Sequence, residues 1–228
     1  MELSNVNRML CADRWSVGEP KAFVLGAEIL NLNPRVQVEM HVERFKPDKH
    51  ANYLAEVDAV LEGIDGISVK TRLRDRLKAG ELESVSMPTD TVFAPFVDVE
   101  GPFDPYFCRP DLDKKALDFL RQPISPREDP KGLIRQVALI MGEENIPPDL
   151  MAALYLFSQD LLSFWPQPAL PAMLNAALLS YLHLESLAGR KPEHSRVRVS
   201  LPEIAGIKRY DSAQAKVINE LFAQSLGL

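Results

Sequence analysis

Lysine and arginine are missing from Gln136 to Gly189, although the chain has 26 of them elsewhere. Such a stretch gives no electrostatic hold on a polyanion, and the net charge of −6 extends that exclusion to wholesale binding of nucleic acid or anionic membrane. Cysteine is nearly absent. Cys11 and Cys108 are the only two, and neither belongs to a CxxC pair, which excludes a dense disulfide framework and the common zinc-ribbon spacings. The patterns GxSxG, HExxH, GxGxxG and the phosphate-binding loop do not occur, so the locally recognisable hydrolases, zinc proteases and nucleotide binders lose their signature. Active sites assembled from distant residues leave no such trace, and an enzyme of unrecognised type stays open. No catalytic, cofactor-binding or metal site is therefore assigned.

Long apolar runs are missing as well. The most apolar part of the chain is broken by Asp160 and by Pro166, Pro168 and Pro171, short of the roughly 20 residues a bilayer span requires. The N-terminus has no basic segment leading into an apolar one, so a secretory signal is not expected. The expectation is a cytoplasmic protein without a membrane segment.

What is present is an ordinary globular composition, 46% apolar and 25% charged over 228 residues, enough for a real core. The pattern predicts an α+β fold in three parts: 1–87 with a β-hairpin over 21–45, a proline- and aromatic-rich arm over 88–130, and a helical part over 131–228. In the hairpin, Lys21–Leu32 and Arg35–Phe45 flank Asn33-Pro34, a pair suited to a type I turn. Val36, Val38, Met40 and Val42 alternate with Gln37, Glu39, His41 and Glu43, as on a half-buried strand. Asp48 caps an expected helix running to about Leu61. Ile67–Lys78 reads either as a helix, with Val69, Leu73 and Leu77 in a stripe, or as a strand; Gly80 favours the helix. A strand is expected over Val92–Val99.

Eight of the 18 prolines fall between Pro88 and Pro130, which marks connection more than ladder or helix, apart from a short helix over Asp111–Arg121. Beyond it, four helices are expected. The first has Asp129 as N-cap and Pro130 at its first position and stops at Gly142. The next two form the apolar pair of the base-free window, and the last starts at Asp211. The apolar pair reads as a central core hairpin or as a contact with another chain. A partner interface is placed at Phe164 and Trp165 near the proline hinge, together with Phe103, Tyr106 and Phe107 of the arm.

Five bases, Lys70, Arg72, Arg74, Arg76 and Lys78, form a candidate nucleic-acid face, against the usual reading of a charge run as a solvated surface. A basic segment over 190–216 loosely suggests a helix-turn-helix, with only Gln214 and Lys216 available to reach bases. Glu39, His41 and Glu43 share one strand face, the ordinary look of a solvent side, and carry no metal assignment. His183 and Glu185 stand two apart on an expected helix and do not face each other. Cys108 beside Arg109 lacks an identifiable base, and Asp111 and Asp113 fit a helix start without any ion. The reading is a non-catalytic interaction or assembly protein, a subunit of a larger complex that self-associates or binds a protein partner. The rivals are a nucleic-acid-binding component and the unrecognised enzyme. No cofactor is expected.

Overall fold

The computed structural model describes residues 1–162 and 168–226. It is α+β, with eight α-helices and one mixed four-stranded sheet among the described residues.

The first helix, α1, covers Lys21–Leu32. The hairpin expected over 21–45 does not form. A twelve-residue apolar run rich in alanine and leucine is too long for one strand and suits a helix. Arg35–Phe45 keeps its alternation but has no neighbour to pair with, so it forms no strand. The turn itself is present: Asn33 Oδ1 accepts from the amide of Arg35 at 3.1 Å. Asp48 starts no helix either. A single 3₁₀ turn, Ala51–Leu54, leads to the short strand β1, Val60–Leu61.

Ile67–Lys78 is helical (α2), and Gly80 follows it at a φ of +75°, a conformation that lets the chain turn back at little cost. It carries the chain over to β2, Val85–Thr89, which runs parallel to β1. A parallel pair needs a crossover of this kind. The strand β3, Phe96–Glu100, overlaps the second half of the expected strand Val92–Val99, runs one residue beyond it, and pairs antiparallel with β2, with Val85 opposite Glu100 and Met87 opposite Asp98. Leu61, the last residue of β1, is opposite Ser86, so β2 is already an edge where Pro88 falls.

A 3₁₀ turn at Tyr106–Cys108 and the helix α3, Lys114–Leu120, follow. Then come α4, Pro130–Met141; α5, Pro148–Ser158; and α6, Ala169–Leu187. The strand β4, Arg196–Arg198, pairs with β3 and completes the order β1-β2-β3-β4. The chain ends in α7, Leu201–Ala205, and α8, Ser212–Leu226. Asp113 and Asp129 cap α3 and α4 by accepting from the amides of Ala116 and Gly132.

Three apolar clusters hold these elements. Phe96 joins Ile134, Leu150, Leu154 and Phe222 where α4, α5 and α8 meet β3. Val85 packs with Leu54, Leu73 and Leu77. Met87 packs with Ile67, Phe107, Leu120 and Ile140. The helix α6 lies against β2 and β3. No helix among the described residues is long and apolar enough to cross a membrane.

Candidate functional site

The strand β3 reads Phe-Val-Asp-Val-Glu, so period-two alternation puts Asp98 and Glu100 on the same face as Phe96, towards the core. Both carboxylates are fully buried, and a buried charge needs a partner. Glu100 Oε1 accepts from Arg74 Nε at 2.7 Å and lies 2.6 Å from its Nη2, while Oε2 accepts from the Phe107 amide at 2.8 Å. Arg74 Nη1 reaches Glu62 Oε1 at 3.1 Å, and Lys70 holds the other oxygen of Glu62 at 2.8 Å. Asp98 receives two bonds from Arg196, at 2.6 and 2.8 Å. Arg196 also donates to the carbonyls of Phe107, Ile140 and Met141, joining β4 to the end of α4. Each guanidinium lies over an aromatic ring, Arg74 at 4.0 Å from Phe107 and Arg196 at 4.2 Å from Phe96.

Burial pushes the carboxyl groups of Asp98 and Glu100 upward, and the guanidinium groups pull them back. Arg74 is held above its ordinary value, since the attraction of Glu100 and Glu62 outweighs its own desolvation. We read all of them as charged, because both oxygens of each carboxylate are engaged as acceptors.

Asp98, Glu100 and Cys108 are the one group of metal-ligating types among the described residues whose ligand atoms lie within 4.8 Å of one another. Its chemistry does not suit an ion, because both carboxylates are already committed to guanidinium groups. Burial, with Asp98 and Glu100 nearby, pushes the Cys108 thiol far up and so disfavours the thiolate that a ligand or nucleophile needs. Glu39, His41 and Glu43 form no such group; His41 stacks on Tyr53 instead, and Glu43 accepts from the Tyr53 hydroxyl.

The five bases of α2 thus have different fates. Arg74 is the centre of a buried ion network, Lys70 is tied to Glu62, and Lys78 donates to the carbonyl of Gly101 at 2.9 Å. Arg72 and Arg76 remain on the outer side, where they line a recess of about 410 Å³ with Arg121, Asp48, Asp75 and Glu81. A continuous five-base row along one exposed face is not formed. In the basic C-terminal segment, Arg209 is bound by Asp149, and α8 packs against α4 and α5.

Of the expected interface aromatics, Phe103 is fully exposed. Tyr106 is half-buried, with its hydroxyl 2.9 Å from Asp75. Phe107 is core and no interface residue: it is completely buried, packed with Ile67, Met87, Leu120 and Ile140 and against the Arg74 guanidinium. Phe164 and Trp165 lie outside the described residues.

Two regions expose several large apolar side chains: α6 in the base-free window, through Leu170, Met173, Tyr181, Leu184 and Leu187, and the N-terminal arm, where the sequence reading placed no contact. Within residues 1–45 only Met1, Asn5, Ala12 and Gly26 are buried. Leu3, Leu10, Trp15, Phe23, Ile29 and Leu32 all stand exposed, Leu32 by 79%. Val6, Val17, Leu25, Val36 and Val42 add further exposures. The helix α1 has one buried residue, Gly26, on which the Met40 side chain sits. Lys21, Glu28 and Asn31 share one side of α1, and the exposed Phe23, Leu25, Ile29 and Leu32 lie on the rest of its circumference, which in a water-facing helix signals a missing neighbour.

The model of the ThiF family matches residues 1–98. This ThiF-like region is less than half of the chain. It contains the exposed N-terminal arm, the β1–α2–β2 crossover and the first residues of β3 through Asp98. No curated protein matches the chain.

Proposed function

We propose that the chain is the docking portion of an E1-like adenylyltransferase assembly of the ThiF type, contributing scaffold and partner surface and not the reacting groups. The observation that carries this reading is the coincidence of the ThiF match with the apolar arm of residues 1–45. The partner is then the adenylating body of such an enzyme, which would cover α1 on more than one side. The state of the titratable groups supports the same reading: the buried ones are locked in ion pairs, and the Cys108 thiolate is disfavoured. Both cysteines are free thiols, as expected of the reducing cytoplasm, where we place the protein.

The test is affinity purification of the tagged chain from its host beside the triple variant Phe23→Ser/Ile29→Ser/Leu32→Ser, with ATP–pyrophosphate exchange measured on both eluates. The wild-type chain is expected to bring an adenylating component and its exchange activity, and the variant to lose both while unfolding at the same temperature. Exchange catalysed by the purified chain alone would contradict the docking role.

A further inference from the structure

We propose that the recess beside α2 is an oxyanion site for a phosphoryl group. It is lined by Arg72 and Arg76, one turn apart on the outer side of α2, and by Arg121 just past the end of α3. Asp48, Asp75 and Glu81 complete the lining.

The three arginines are held with unequal firmness. Arg121 makes two bonds to Asp75, at 3.1 and 2.7 Å, and a third to Asp118; Asp75 also accepts from the Tyr106 hydroxyl. That arrangement is rigid. Arg72 instead pairs through one nitrogen, at 2.7 Å, with Asp48, whose side chain is 70% exposed. Arg76 pairs through Nη2 with Glu81, which is 48% exposed. Single ion pairs at such exposure gain little over hydration and exchange freely with other anions. The Arg76 side chain itself is only 20% exposed, so its guanidinium is held in place at the recess.

A phosphoryl dianion fits the arrangement better than the carboxylates now paired there. It brings two charges where each displaced side chain has one. Its oxygens point in different directions, so a single ligand can accept from Arg72 and Arg76 together, with the charge of Arg121 beside them, whereas a planar carboxylate serves one fork at a time. A nucleic-acid strand is disfavoured, because Asp48 and Glu81, once displaced from the arginines, stay beside the recess and would repel the phosphates on either side. The chemistry is common to free phosphate and to a phosphomonoester.

The experiment is a titration of the intact chain with inorganic phosphate at constant ionic strength, read by calorimetry and by the thermal midpoint, with glycerol phosphate as a second arm. Saturable binding is expected, weakened at least about tenfold in Arg76→Gln and in Arg72→Gln, and unaltered in Arg198→Gln, an exposed base on β4. Equal binding in the two arms supports a site for the terminal phosphoryl group, and preference for one identifies the source. Arg72→Gln keeps the test sound should Arg76→Gln fold poorly, since Arg72 is half-exposed. Unsaturable binding, or the same affinity in Arg72→Gln as in the wild type, would overturn the proposal.

Discussion

Arg74 shows how little the identity of a charged residue says about its use. In the sequence it is the middle of five bases; in the structure its side chain is fully buried between Glu62 and Glu100. Breaking a buried pair by removing one partner leaves the other charge uncompensated, at a cost of about 3–5 kcal/mol. Arg74→Met strands two carboxylates and is therefore expected to lower unfolding stability in urea by at least that range, more than any other single change at the bases of α2. A loss under about 1 kcal/mol would show that water enters and screens the network. The carboxylates had a legible signal in Phe96-Val-Asp-Val-Glu100, an alternation that puts two acids on the apolar side of a strand. Their partners had none: Glu62 is reached through the crossover, and Arg196 lies 98 positions from Asp98.

Helix ends were the most legible elements. Asp129, Pro130 and Gly142 bound α4, and Asp129 Oδ1 accepts from the Gly132 amide at 2.8 Å. Caps are local, a side chain meeting a backbone group three residues on, so spacing alone reveals them. Since α4 touches α3, α5 and α8, fraying its start loosens the core as well as the helix. Asp129→Ala is expected to cost roughly 0.5–2 kcal/mol, read as a lower urea midpoint with an unchanged slope. An unchanged midpoint would mean that water caps the helix equally well. The α1 segment was illegible for the opposite reason. A strand must find a partner elsewhere in the chain, and alternation over Arg35–Phe45 does not supply one. Length was the better guide, since twelve continuous residues of this composition exceed a typical strand.

Across the whole molecule, two surfaces of different character stand apart. The body is held by three apolar clusters, by ion pairs that tie α2 and β4 to β3, and by hydrogen bonds from Arg196 on β4 to the end of α4, whereas residues 1–45 bury almost nothing of their own. The base-free window of the sequence pointed to concealment in the second half, and there α5 does enter the core through Leu150 and Leu154. The helix α6 keeps Leu170, Met173, Tyr181, Leu184 and Leu187 exposed, and apolar surface is also left open at the other end of the chain, where scattered charges made the arm look ordinary. Local amide protection tracks how well an element is packed, so α1 should exchange rapidly in the isolated chain and slowly once covered. Hydrogen exchange over residues 21–32, measured on the purified chain and on the assembly recovered from its host, tests the docking role most directly. Marked slowing of those amides in the assembly, with α4 and α5 unchanged, is the expected result; equally fast exchange in both would show that α1 faces water throughout and would contradict it.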